Sequence, residues 1–282
     1  MATLTAEAVE RGYNNRAAFP DHPQWFARWA ADSAATRARL DARLDLRYGS
    51  GPRQLLDVFP AQGARGALLF IHGGYWRALD KSDHSFVVDA WVARGISVAV
   101  MNYDVCPAVG IPRIVEEARE AVAWLLRHGA EHGIPAKRLA LAGHSAGGHL
   151  VAMLYATDWA RDGVPPQTIC GGLSISGVFD LEPLLLASMN ADLRLDRATA
   201  RAMSPVLLAA QVTAPLLLAV GAAETSEFVR QSALLWNAWP DCRPTATVGP
   251  LCIPDRHHFS VISDLGNARS ELFLKAESIL FK

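Results

Sequence analysis

The chain has 282 residues, 51% of them hydrophobic and 20% charged, enough to bury a large core and near the upper size of one α/β domain. A formal net charge of -1 and a pI near 6.8 give no electrostatic basis for a nucleic-acid or acidic-membrane partner, and so favour small-molecule clients. The cysteines Cys106, Cys170, Cys242 and Cys252 lack C-x-x-C spacing, the first residues lack an apolar stretch of signal-peptide length, and no run approaches the roughly 18 residues of a membrane span, so a soluble, cytoplasmic, single-domain protein with reduced thiols is expected.

In chain order, residues 1–40 carry helical spacing of apolar residues around Phe26, Trp29 and Ala30, which predicts a helical extension lying over the core. Two β-like runs, Leu44–Tyr48 and Gln54–Phe59, flank Gly49-Ser-Gly51-Pro52, a hairpin connection. Beyond them, nearly unbroken apolar runs at Ala67–Ile71, Ile96–Met101, Leu139–Ala142, Ile169–Ser176 and Leu216–Val220 read as strands covered on both faces. Helical stretches alternate with them at Ser82–Ala93, Pro112–His132, Ala146–Trp159, Thr199–Ala210 and Ser226–Trp239. That alternation predicts a mostly parallel central sheet flanked by helices, with ligands gathered at the carboxyl ends of the strands.

The chemistry centres on Gly143-His144-Ser145-Ala146-Gly147, which follows one apolar run and opens another. A serine at such a strand-to-helix turn has its hydroxyl pushed out over the sheet, which makes Ser145 the candidate nucleophile; a capping serine in a plain Gly-rich turn is the bland alternative. His72-Gly73-Gly74-Tyr75-Trp76 directly follows the strand Ala67–Ile71. Amides of Gly73, Gly74 and Tyr75, with that of Ala146 at the start of the next helix, are candidates for an oxyanion hole. His72 is read as structural. Tyr75 and Trp76 adjoin this loop and could stack a flat aromatic substrate, although Trp76 serves equally well as a support beneath it. The remaining tryptophans, Trp29 among them, fall on helical patterns and read as packing residues.

A serine hydroxyl needs a histidine to take its proton, and that histidine needs a carboxylate to fix its tautomer. His149 lies one helical turn beyond Ser145 and cannot reach back, so the base is His257 or His258, and the residues alone do not choose between them. Among Asp180, Asp196, Glu224, Asp241 and Asp255, Glu224 alone follows a strong strand through a short turn, Gly221-Ala-Ala, with Asp180 as its rival. Cys106 reads as a buried thiol. The histidines and acids form no metal-ligand spacing, and no cofactor is expected.

His72-Gly-Gly-Tyr-Trp76, Gly143-His-Ser-Ala-Gly-Gly148, Gly221-Ala-Ala-Glu224-Thr-Ser-Glu-Phe228 and His258-Phe259 together resemble the α/β-hydrolase arylformamidases, or kynurenine formamidases, and their bacterial esterase-like relatives. The likeness extends from about Tyr13 to the C-terminus. It implies a base that precedes phenylalanine, which selects His258, and an acid at Glu224, where the family usually has aspartate. It further implies hydrolysis of N-formylkynurenine or a similar aryl formamide in tryptophan catabolism. Small acyl esters are the alternative substrates, and a non-catalytic interaction module is a third reading. The expected partner is a small aromatic amide or ester, with pairing into a homodimer left open.

Overall fold

The computed structural model describes residues 4–135, 138–245 and 247–281. Three N-terminal helices, α1 (Ala6–Tyr13), α2 (Asn15–Ala18) and α3 (His22–Arg39), precede the antiparallel pair β1 (Arg43–Arg47) and β2 (Leu55–Phe59). The alternating part follows as β3 (Gly66–Ile71), α4 (Val88–Val92), β4 (Ile96–Met101), α5 (Ile111–His128), β5 (Leu139–His144), α6 (Ala146–Tyr155), β6 (Ile169–Ile175), α7 (Asn190–Leu193), α8 (Arg197–Ala202), β7 (Leu216–Gly221), α9 (Ser226–Ala238), β8 (Leu251–Ile253) and α10 (Glu271–Leu280). The eight strands form one sheet in the order β1-β2-β4-β3-β5-β6-β7-β8, parallel from β4 to β8. Among the described residues no helix is long and apolar enough to cross a membrane.

Side chains of successive strand residues leave opposite faces, so the apolar runs serve two cores. Ala67, Leu69 and Ile71 of β3 join the α5 and α6 side, where Ile114, Ala118, Leu125, Leu150 and Leu154 are buried. Leu68 and Phe70 turn to the other layer with Trp29 of α3, Trp91 of α4 and Phe273 of α10. Burying a side chain of this size contributes about 1.5–3 kcal/mol. The N-terminal helices straddle both layers, since Val9 and Tyr13 pack with the first and Trp29 with the second.

Four expected elements are shorter or broken, among them Pro112–His132, whose α-helix ends at His128 and passes into a 3-10 turn. Helix over Thr199–Ala210 ends at Ala202, and Pro205 opens a separate 3-10 turn, because proline cannot continue the preceding hydrogen-bond ladder. Ser82–Ala93 divides into two 3-10 turns and the five-residue α4, and Ala146–Trp159 stops at Tyr155. Three elements lie outside the sequence expectations: the four-residue α7, β8 and α10. Strand β8 has only three residues, too few to show a period, whereas α10 carries a cap at Ser270 and apolar residues at Leu272, Phe273, Ala276 and Leu280.

Candidate active site

Ser145 occupies the sharp turn between β5 and α6 with φ 56° and ψ -119°, a conformation that L-residues rarely adopt. Small neighbours make this turn fit: a Cβ on Gly147 would lie 2.0 Å from the carbonyl oxygen of Ile71, so only glycine lets α6 start this close to β3. Ser145 is 2% exposed, and its Oγ stands 3.1 Å from Nε2 of His258. On the far side of that ring Nδ1 lies 2.8 Å from Oε2 of Glu224. A carboxylate only accepts, which places the proton on Nδ1 and leaves Nε2 to receive one from the serine.

Each member comes from the carboxyl end of a different strand: Ser145 after β5, Glu224 after β7 and His258 after β8. The last two loops are fastened together, because the N–H of Ala222 donates to Ile253 and that of Ala223 to Arg256, each at 2.9 Å. The His258 ring sits between two others, His144 at a centroid distance of 4.8 Å and Phe228 at 4.5 Å. His144 donates through Nε2 to the carbonyl of His258 at 2.9 Å, and burial drives its own pKa well below the ordinary value, so it stays neutral.

His257 points elsewhere. It stacks on Phe19 at 4.7 Å and approaches Asp21 at 3.4 Å, on the N-terminal segment. Asp180 does not serve His258, whose Nδ1 faces Glu224; its own carboxylate accepts from the N–H of Glu182 at 3.2 Å. His72 is buried against Tyr103, with Nε2 2.9 Å from Asn102. Cys106 is 3% exposed, and burial pushes its thiol up to about 11. Among the described residues no group of three or more His, Cys, Asp or Glu is arranged to hold a metal ion.

The loop after β3 reaches the serine closely. A Cβ on Gly73 would meet the His144 carbonyl oxygen at 2.9 Å and Ser145 Cβ at 3.0 Å. Gly74, Tyr75 and Trp76 all have positive φ, at 106°, 52° and 57°. The amides of Gly73, Gly74, Tyr75 and Ala146 donate to no acceptor among the described residues and remain available to an oxyanion.

A cavity of about 230 Å³ opens over this site, lined by Ser145, His258, Gly74 and Tyr75. The expectation of a stacking pair at Tyr75 and Trp76 divides. Tyr75 is half-buried on the wall, its hydroxyl donating to the Tyr13 carbonyl at 2.6 Å. Trp76 is not part of the wall: it is fully enclosed and packs edge-on to His149 at 4.9 Å, so it supports the loop from below. Trp29, read as a packing residue, does line the cavity. Sequence reasoning also missed Ser176, whose hydroxyl donates to Oε1 of Glu224 at 2.5 Å, and the N-terminal contribution of Glu10, Tyr13, Asn14, Asn15 and Arg16 to the wall. No local motif marks these; they arise where distant segments meet.

A nearly parallel eight-stranded sheet, with serine at the β5–α6 turn and acid and histidine beyond β7 and β8, defines an α/β-hydrolase. Residues 56–162 match the family model described as BD-FAE. The chain is 30% identical over 226 residues to kynurenine formamidase of Salmo salar, covering 77% of this chain and 75% of that protein, and 29% identical to the Danio rerio enzyme over the same shares. It therefore belongs to the kynurenine formamidase family and is a hydrolase. A Silicibacter structure provisionally designated a thioesterase is 34% identical with a TM-score of 0.84, covering 97% of this chain and 99% of the other. A thermostable carboxylesterase from a metagenomic library, 19% identical with a TM-score of 0.72 over 91% of this chain and 94% of its own, shares the fold.

Proposed function

We propose that the protein hydrolyses the formamide of N-formylkynurenine, or of a similar aryl formamide, through an acyl-enzyme on Ser145. The observation that carries this reading is the continuous hydrogen-bonded series from Glu224 through His258 to Ser145, opening into a cavity with an aromatic wall. Oγ attacks the formyl carbon as Nε2 of His258 takes its proton, and the amides of Gly74, Tyr75 and Ala146 receive the developing oxyanion. His258 then returns the proton to the departing arylamine. Water, deprotonated by the same nitrogen, releases formate and restores the serine. An arylamine is a weakly basic leaving group, so this cleavage asks less of the acid than peptide hydrolysis does.

The same reading places a single-domain enzyme in tryptophan catabolism in the cytoplasm, and its four free cysteines support a reducing compartment. A second reading, hydrolysis of small acyl esters, is favoured by the thioesterase designation of the 34% identical structure. Comparison of kcat/KM for N-formylkynurenine and for p-nitrophenyl acetate separates them. Formamide turnover at least as efficient as ester turnover supports the first; ester cleavage without formamide turnover replaces it with the second.

A further inference from the structure

Asn15, the first residue of α2, is 3% exposed and lines the cavity that holds Ser145 and His258. Neither its Nδ2 nor its Oδ1 has a hydrogen-bond partner among the described residues. An enclosed amide with both ends unmatched is costly, and where it faces a cavity a ligand can supply the missing partners. Because both ends are free, exchanging the oxygen and nitrogen positions leaves the same pattern of one donor group and one acceptor.

Trp29 Nε1 and His144 Nδ1 also lack partners among the described residues, but each is a single ring nitrogen; the polar side chains nearest Asn15 are occupied. Glu10 accepts from Ser188 and Asn14, Asp192 pairs with Arg77 at 2.5 Å, and the Tyr13 hydroxyl lies between Glu227 and Gln231. Arg16 differs: it lines the cavity beside Asn15, has no carboxylate at ion-pair distance among the described residues, and holds its guanidinium 5.6 Å over the Phe26 ring. At this end of the wall one cation, one amide donor and one amide acceptor stand together unmatched. Tyr13 anchors the backbone just before them, its carbonyl accepting from Tyr75 and its hydroxyl donating to Glu227, so the start of this segment is fixed while the exposed Arg16 side chain reaches over it.

We infer that Asn15 and Arg16 form a specificity subsite for an α-amino-acid arm on an aryl substrate. Arg16 and Nδ2 receive the carboxylate, and Oδ1 receives the ammonium. The inference rests on the acyl-transfer reading of Ser145 and adds what selects the part of the substrate remote from the scissile bond. The guanidinium and an amide N–H are both suited to carboxylate oxygens, and charge-assisted bonds are the stronger class.

The test uses two aryl acetates with similar phenol leaving groups, O-acetyl-L-tyrosine and 4-methylphenyl acetate, so that formamide preference does not enter. The wild type should favour the amino-acid ester in kcat/KM by about tenfold or more. Asn15→Leu and Arg16→Gln should each cut that ratio by about 10- to 100-fold, chiefly through KM for O-acetyl-L-tyrosine. No preference in the wild type, or a ratio unmoved in both variants, overturns the subsite. Should Asn15→Leu fail to fold, calorimetry on the wild type decides: L-kynurenine must bind more tightly than 2-aminobutyrophenone, which lacks the amino-acid arm, and equal affinities overturn the inference. Loss of the formamidase reading would show separately, as absent N-formylkynurenine turnover with the ester ratio intact.

Discussion

Ser176 donates its hydroxyl to Oε1 of Glu224 at 2.5 Å, and the N–H of Gly221 adds a second bond to the same oxygen at 2.8 Å, leaving Oε2 to face His258. The carboxylate is thereby held in one rotamer, with its side chain fully buried. Glu224→Gln should lower kcat by roughly 10³ to 10⁴ with little change in KM, by analogy with the aspartate-to-asparagine change in serine proteases. Glu224→Asp should retain much more, because the charge survives although the arm is shorter. Ser176→Ala should cost about tenfold, since the Gly221 bond remains. Asp180→Asn is the control; if it cripples turnover while Glu224→Gln is mild, the acid is misassigned.

Ser145→Ala should abolish hydrolysis while the fold persists, since alanine occupies the same small space in the turn. An organophosphate label should disappear with it. Activity within tenfold of the parent, or a label found on another serine, would sink the nucleophile assignment, and intact-mass measurement reads the label directly.

The neighbouring histidines should behave very differently. His258→Ala should lose several orders of magnitude in kcat, whereas His257→Ala, which gives up a ring stacked on Phe19, should lose little turnover and some thermal stability. Steady-state kinetics on both variants settles the ranking, and its reversal would mean that the base is His257.

Gly73→Ala places a methyl where the His144 carbonyl and Ser145 Cβ already lie about as close as atoms approach. The loop must back away from the serine, and the amides move with it. Loss of one oxyanion donor costs about 10² to 10³ in kcat, and a drop of that order with KM nearly unchanged is expected. An unaltered kcat would show that this loop does not serve the oxyanion.

Stability should depend on pH through four buried histidines. Burial lowers His84 to about 3 and His149 to about 4, and holds His72 below and His144 well below the ordinary value of 6.5. The unfolded chain takes up protons at these positions near pH 6.5, and the native chain does not. Between pH 6.5 and about 4 the unfolded state therefore binds more protons, and stability falls as pH falls, by up to about 1.4 kcal/mol per pH unit for each histidine. Melting temperatures recorded across this range should decline toward acid, and His149→Gln should make the decline shallower. An identical slope in that variant would rule out its share.

The apolar runs at β3, β4, β5 and β7 determine the sheet by themselves, because a strand covered on both faces must be apolar at nearly every position. The Gly-His-Ser-Ala-Gly turn and the order of acid and histidine after it are equally local, and so legible in the chain. What the residues cannot express is direction and partnership across the sheet. Adjacent histidines are equivalent in sequence; the bond from His144 to the His258 carbonyl and the stacking of Phe19 on His257 separate them in space. Trp76 and Trp29 carry no mark that one lies beneath a loop and the other faces a cavity. Around the site Tyr13 bonds to Glu227 across 214 positions of chain, and Ser176 to Glu224 across 48. Periodicity records only what neighbours along the chain do for one another, so contacts of this span were decided by the order in which the sheet brings the strand ends together.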